Sequence, residues 1–514
     1  MNTQVEKIDK SFMFLSLFFM LLYMAGFRVV YVSGVCVVLL VFWMLFRSRH
    51  KHVKPTEVDV MFFDMKNNDH VAKIFFLLFF CLLTELGLSL FFDMRLGRTG
   101  IDFAIFTQAI AAIGREGIPW VSLMTGSPLN FVTHHFVPYL YVPGALAALG
   151  VPASTAGAIT HFLGLTFGLL ALGGIGRTQG LSRNTALALM VPAAFSPTLR
   201  ISYTWTMNDE LYGAPYVMLG LWAWLSGRYA LCTLFFCISC LCKESFFLVT
   251  LAFTGVALLW HADFRPAEER KRAALWLVPL GMVSGLLFVG YFFLQPIILG
   301  KPFDHASKLA TFTQLLNPLE IAKKLLYVLT LLLPTFGVPL IFSKGRKLLV
   351  IAVPSLSLSM ITGFGPMYEP FRYYSIVPVF VNFAALMVSW PDLRRRWRAQ
   401  QVARYVVLLC VGSVMLETFS PMESIVRGIR APSKAALPQT QFPLDGVYVV
   451  DPAAAVQLAG YRHLERVWLA NQRPERHFDR LIWKPGGYET PSAALIERTY
   501  DCGSTAFWQI RCRR

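Results

Sequence analysis

Charge is scarce in this chain, and acidic charge is scarcer still. Only 15% of its 514 residues are charged, and 30 Asp and Glu stand against 47 Lys and Arg. Soluble domains carry roughly a quarter charged residues, so a soluble globular protein is excluded. Internal repeats and low-complexity tracts are missing too, which argues against a transporter built from inverted repeats. Gly174-Ile175-Gly176 has neither the spacing nor the strand–helix setting of a dinucleotide fingerprint. No small-residue cleavage site follows the apolar run 12–27 behind Lys7 and Lys10, so that run reads as an uncleaved anchor.

What the chain does have is apolar length. Hydrophobic residues make up 55% of it, in runs near the ~20 residues that a helix needs to cross about 30 Å of hydrocarbon. Backbone groups in lipid must be satisfied within their own segment, so the spanning elements are helices. The fold class is mainly α: a polytopic helical membrane protein. The runs are 11–27, 29–46, 73–92, 152–172, 185–201, 211–226, 229–242, 245–260, 274–294, 323–342, 348–362, 374–390 and 403–419, which predict about 13 transmembrane helices.

Basic loops give these runs sides. Arg47, Arg49, Lys51 and Lys54 follow the second run, and Arg394, Arg395, Arg396 and Arg398 follow the twelfth. Every even-numbered run ends in such a loop, which the positive-inside rule places in the cytoplasm. The net charge of +17 is thus spread over short loops rather than gathered on a nucleic-acid face. The stretch 136–150 is about 15 residues, holds Pro138 and Pro143, and is short for a span, so it reads as an interfacial helix. The expected domains are an N-terminal hairpin with a basic loop (1–56), a membrane domain (57–420) with its first outer loop at 93–135, and a small extracytoplasmic α/β domain (421–514). In the last, residues 446–451 read as a strand, Pro452 starts a helix, and 466–470 and 478–484 read as further strands.

Cysteine usage splits in two. Cys232, Cys237, Cys240 and Cys242 crowd one apolar helix, where small-hydrophobe packing is expected rather than zinc. Cys502 and Cys512 sit in the polar tail, and an extracytoplasmic tail makes them a disulfide candidate.

The candidate chemistry lies in the outward segments. Asp102 precedes the apolar stretch 103–114, so it reads as a helix N-cap, as a reactive acid, or as both. His134 and His135 are a solvated pair, metal ligands or proton carriers. Asp209 and Glu210 begin the next descending helix, where the macrodipole favours acids. Lys243 and Glu244 interrupt an otherwise apolar stretch, either as a mutual ion pair or as functional groups. Arg372 sits among belt aromatics, including Tyr373, and is suited to grip phosphate.

Asp102-Phe103-Ala104-Ile105-Phe106-Thr107-Gln108, His135-Phe136-Val137-Pro138, Asn208-Asp209-Glu210, Lys243-Glu244 and Arg372-Tyr373-Tyr374-Ser375 come in an order that resembles the GT-C superfamily of integral-membrane glycosyltransferases. More narrowly, the chain resembles a group of bacterial predicted membrane proteins of unknown function placed near that superfamily. The likeness covers roughly residues 70–420; this chain reads Asn208-Asp209-Glu210 where the narrower group tends to have His-Pro-Glu. The resemblance implies transfer of a sugar from a polyprenyl-phosphate carrier to an extracytoplasmic glycan, lipid or protein, with inversion, in the bacterial inner membrane. It implies Asp102 as general base. Lys243 and Arg372, with Glu244 and Tyr373 beside them, would bind the carrier phosphate. His134, His135, Asp209 and Glu210 would shape the sugar site or hold a divalent ion, Mg or Mn, if one is used. A transporter or flippase of a lipid-linked anion, and a non-catalytic membrane scaffold, are the alternatives.

Overall fold

The computed structural model describes residues 101–299 except 195 and 205–206, 317–362, 373–397, and 446–513 except 460, 486–488 and 506–507, with scattered positions at 80–91, 405, 409, 437 and 442. The expected spans 11–27 and 29–46, nearly all of 403–419, and Arg372 lie outside the described residues.

Helix α1 (Ile101–Glu116) buries Phe103, Phe106 and Ile110 and ends where Gly117 takes φ 73°, a left-handed conformation that glycine adopts without a Cβ penalty. A short hairpin follows, β1 (Trp120–Val121) antiparallel to β2 (Leu129–Asn130). Asn130 then caps the single turn α2 (Phe131–His134), its side chain accepting from the Val132 N–H at 3.1 Å. Helix α3 (Tyr141–Ala148) comes after a tight turn at Pro138–Leu140. Its 8 residues extend only about 12 Å at 1.5 Å each, short of the roughly 30 Å of a hydrocarbon core.

The bundle comprises α4 (Ala153–Thr178), α5 (Arg183–Ala194), α6 (Pro197–Thr204), α7 (Asp209–Leu225), α8 (Tyr229–Cys240), α9 (Ser245–Leu259), α10 (Arg270–Val289), α11 (Pro318–Leu332), α12 (Val353–Ile361) and α13 (Ile376–Arg396). The expected run 185–201 is broken into α5 and α6. Pro197 opens the second helix, because proline has no N–H to continue a helix and disfavours helical backbone before it. Among the described residues, three helices are long and apolar enough to cross a membrane: 153–178, 267–298 and 376–396. They differ in surroundings, since 89% of the α13 window is buried but only 17% of the 267–298 window. Helix α13 is therefore central, whereas α10 turns Leu275, Met282 and Leu286 outward, as a lipid-facing helix does.

Glycines let the central helices approach. A Cβ on Gly174 of α4 would meet Trp222 of α7 at 2.4 Å, and one on Gly168 would meet both Pro215 of α7 and Phe380 of α13 at 3.1–3.2 Å. Gly157 lies against Met207 and Gly176 against Met387. Rising residue numbers thus match rising numbers, and α4, α7 and α13 run parallel.

The C-terminal unit contains β3 (Val447–Val450), α14 (Pro452–Gln457), β4 (His463–Arg466), α15 (Val467–Gln472), β5 (Arg480–Trp483), α16 (Ala493–Glu497), β6 (Thr499–Asp501) and β7 (Gln509–Arg513). Its sheet order is β4-β3-β5-β7-β6, with β3 parallel to β4 and β5, and β7 antiparallel to β5 and β6. Alternate residues of β3 serve opposite faces. Tyr448 and Val450 join a core with Ala454 and the α1 residue Phe103, while Val449 packs with Val467, Leu481 and Leu495. The expected strand 466–470 is corrected: extended backbone ends at Arg466, and Val467 begins α15. Its short apolar run carries no period that separates strand from helix. Cys502 and Cys512 are joined by a disulfide with Cα atoms 5.7 Å apart.

A buried polar knot docks this unit on the first loop. Gln108 accepts from the Ser122 N–H (3.0 Å) and Leu123 N–H (3.2 Å), and donates to the Ser122 hydroxyl (3.0 Å) and the Tyr461 carbonyl (3.1 Å). Ser122 in turn donates to the Leu464 carbonyl and accepts from its N–H, both at 2.9 Å. Since β4 lies at the sheet edge, the hairpin shields an edge that would otherwise offer unpaired backbone groups.

Candidate functional site

At the end of the bundle where α7 begins, three separate segments bring charged side chains together. Asn208 caps α7 by accepting from the Glu210 N–H at 3.1 Å, which sets Asp209 and Glu210 in the first turn, where the helix dipole favours acids. Lys243 and Glu244 occupy the turn between α8 and α9, closed by N–H bonds from Phe246 and Phe247 to their carbonyls. His135 follows α2.

The Lys243 ammonium donates to Asp209 Oδ1 at 2.9 Å and to Glu210 Oε1, and lies 5.6 Å from the Tyr374 ring centroid. Glu244 accepts from the Phe136 N–H at 3.2 Å. His135 Nδ1 stands 3.5 Å from Glu244 Oε1 and 3.9 Å from Asp209 Oδ2. Of the two readings left open by the sequence, the mutual Lys243–Glu244 ion pair is not the one that forms. The two turn residues serve different partners, one toward α7 and one toward His135.

Asp209 and Glu244 are buried, while the Lys243 and His135 side chains keep 12% and 17% of their surface. Burial alone would lower the Lys243 pKa, but the charges of Asp209 and Glu210 outweigh it and hold it above the ordinary lysine value. Cations and carboxylates this deep are costly unless each is paired. Here one ammonium serves two acids and one histidine bridges two.

Aromatic rings wall the cluster. Phe131 packs edge-on to His135 (5.6 Å) and to Phe106 (5.3 Å), and Phe106 lies 6.3 Å from Tyr212. Tyr139 stands 5.2 Å from Tyr212, and its hydroxyl is 2.9 Å from that of Tyr216. Sequence reasoning missed Tyr139, Tyr212, Tyr216 and the seat of Lys243 on Tyr374. A signal existed only for Tyr212 and Tyr216, which stand four apart on one helix face.

Asp102 is helical and half-buried within the described span of α1, so of the readings open in the sequence the N-cap is not the one seen. It stands one turn ahead of Phe106, whose ring leads through Phe131 to His135. His134 belongs to α2 and Tyr373 opens the turn Tyr373–Ser375; their side chains are not among those described. The five residues His135, Asp209, Glu210, Lys243 and Glu244 are the ones brought together.

The donor set does not fit a metal ion. Lys243 fills the place between Asp209 and Glu210 that a cation would take, and among the described residues no group of three His, Cys, Asp or Glu is arranged to hold one. The crowded cysteines pack instead: Cys232, Cys240 and Cys242 are buried and free, and the Cys240 thiol lies 3.2 Å from the Thr250 hydroxyl.

The model of a family described as predicted membrane protein (DUF2079) matches residues 94–441. No curated protein matches the chain. Among solved structures, ArnT from Cupriavidus metallidurans bound to undecaprenyl phosphate superposes with a TM-score of 0.51 at 12% identity, covering 85% of this chain and 97% of that one. Arabinofuranosyltransferase AftD from Mycobacteria gives 0.44 at 15% identity, covering 84% of this chain and 40% of that one. The ArnT likeness carries the architecture, a GT-C membrane fold with a small C-terminal sheet.

Proposed function

Because the chain belongs to the family described as predicted membrane protein (DUF2079) and has a GT-C membrane fold, we propose that it transfers a sugar from a polyprenyl-phosphate carrier to an extracytoplasmic acceptor. One observation carries the reading: the paired cluster of His135, Asp209, Glu210, Lys243 and Glu244, ringed by aromatics, at the bundle end reached through α1. The undecaprenyl phosphate bound to ArnT supports a polyprenyl-phosphate partner.

In this reading the acceptor hydroxyl oxygen attacks the anomeric carbon, and the bond from that carbon to the carrier phosphate breaks. The hydroxyl proton passes to the Asp102 carboxylate, and polyprenyl phosphate leaves. Lys243, held at the site by Asp209 and Glu210, exchanges a carboxylate for a phosphate oxygen as negative charge develops there. Arg372 grips the same phosphate as a planar fork, with Tyr373 beside it. Glu244 fixes His135, which lines the sugar pocket. The protein works in the bacterial inner membrane with its N-terminus in the cytoplasm and the 421–514 domain outside.

The test is transfer of labelled sugar from a polyprenyl-phosphate donor by the purified protein in liposomes. Asp102→Asn should lower the rate at least about 100-fold, the range of a lost general base, with folding intact. Wild-type transfer by that variant sinks the assignment. The buried cluster of acids, lysine and histidine favours a second reading, proton-coupled movement of a lipid-linked anion. Substrate accumulation with no carrier consumed would select it.

A further inference from the structure

At the far end of the bundle lies a second candidate site. Helix α13 has 21 residues, so its ends are about 31 Å apart. Tyr374, just before it, meets Lys243, whereas Trp390, Arg394 and Arg395 lie in its last turns. Those last turns face the link between α4 and α5 across a cavity of about 350 Å³.

The polar side chains lining it are Gln179, Thr185, Trp390, Arg394 and Arg395, and no carboxylate is among the lining residues. All five offer hydrogen-bond donors. Trp390 is 1% exposed, and its indole N–H has no hydrogen-bond partner among the described residues. A buried donor left unsatisfied costs about 1–3 kcal/mol, and Trp390 is one of the residues that line the cavity. Arg395 has a carboxylate partner, Asp392 at 3.7 Å, but its side chain is 82% exposed, and such surface pairs hold weakly. The spacing supports one shared face, since Trp390 and Arg394 are four residues apart.

We propose that this cavity binds a phosphate-bearing anion, with the two guanidinium groups on its oxygens and the Trp390 N–H completing the contact. Planar guanidinium forks match phosphate geometry. The group is either the headgroup of an acidic phospholipid or a free phosphate, and the site is independent of the acidic cluster at the opposite end.

The test measures binding to the full-length protein in nanodiscs by native mass spectrometry and by titration. The probes are dioctanoyl phosphatidylglycerol, dioctanoyl phosphatidylcholine and inorganic phosphate. Wild type should bind phosphatidylglycerol in preference to phosphatidylcholine, and binding should weaken with salt. The double variant Arg394→Gln/Arg395→Gln should bind at least about tenfold more weakly, as expected for lost charge-assisted bonds. Trp390→Phe, which keeps the ring bulk without the N–H, should weaken binding by a smaller factor. A matched pair on α10, Arg270→Gln/Arg272→Gln, should leave it unchanged. Competition by inorganic phosphate supports a free-phosphate site, and retention of phosphatidylglycerol despite it supports a lipid headgroup. Equal binding by wild type and the Arg394/Arg395 double variant, or equal loss in the α10 control, overturns the proposal.

Discussion

Lys243 shows how one side chain can organise a site. Its ammonium reaches two carboxylates 34 and 33 positions earlier in the chain, and both are shielded from solvent. Lys243→Met strands them, which should cost about 3–5 kcal/mol, the usual loss when a buried pair loses one partner. Lys243→Arg keeps the charge and should lose far less. Thermal unfolding in detergent reads the difference, and equal midpoints for the Met variant and wild type would mean the pairing holds nothing. The sequence shows Lys243, Glu244, Asp209 and Glu210 as costly interruptions of apolar runs. It does not show which cation meets which acid. That choice depends on how two consecutive turn residues splay, and on α7 lying beside the α8–α9 turn, neither of which has a local signature.

Among the elements, helix ends were the legible part and short apolar runs the illegible part. Pro452 announces α14, and Asp451 before it caps that helix, accepting from the Ala454 N–H at 2.8 Å while its other oxygen accepts from the Lys484 N–H at 2.8 Å. Burial pushes the Asp451 pKa up to about 6 in spite of those bonds. A raised carboxyl pKa means the folded state holds its proton longer than the unfolded chain does. The associated stability is full below about pH 4 and is lost as pH rises through about 6, by an amount on the order of 3 kcal/mol at about 1.4 kcal/mol per unit. The wild-type melting midpoint should therefore fall between pH 5 and 7 by more than that of Asp451→Asn. Parallel pH curves would refute the assignment. A disulfide joins Cys502, just past β6, to Cys512 of β7 across a sequence separation of 10, and Cys502→Ser should cost about 2–3 kcal/mol by loop-closure entropy. The same variant should abolish the gel shift on reduction. Val467-Trp468-Leu469-Ala470 was misread because four apolar residues fit a strand and a helix turn equally.

Across the whole molecule, the membrane class followed from composition and run length, but the docking of the last unit on the first loop did not. Gln108 sits in an apolar stretch of α1, and nothing near it names Tyr461 or Leu464 as its partners. Gln108→Leu removes the acceptor for two N–H groups and the donor to Tyr461 while leaving the apolar contacts of α1. It should destabilise the docked unit by about 2–4 kcal/mol, since each lost bond is worth about 1 kcal/mol and buried groups are stranded. Faster limited proteolysis within 446–513 reads that loss, and unchanged cleavage would show that the polar knot does not hold the unit.

The same knot sets a schedule for biogenesis. Its bonds from Ser122 to Leu464 and from Gln108 to Tyr461 span 342 and 353 residues. At roughly 5–20 residues per second of synthesis, about 20–70 s pass between the emergence of the two halves. For that interval the hairpin has no sheet edge to cover, and Gln108 must stay hydrated or find a temporary partner. Closing so long a chain loop is entropically slow. Docking of the first loop thus waits until the C-terminal residues have been made, although its own residues are made long before.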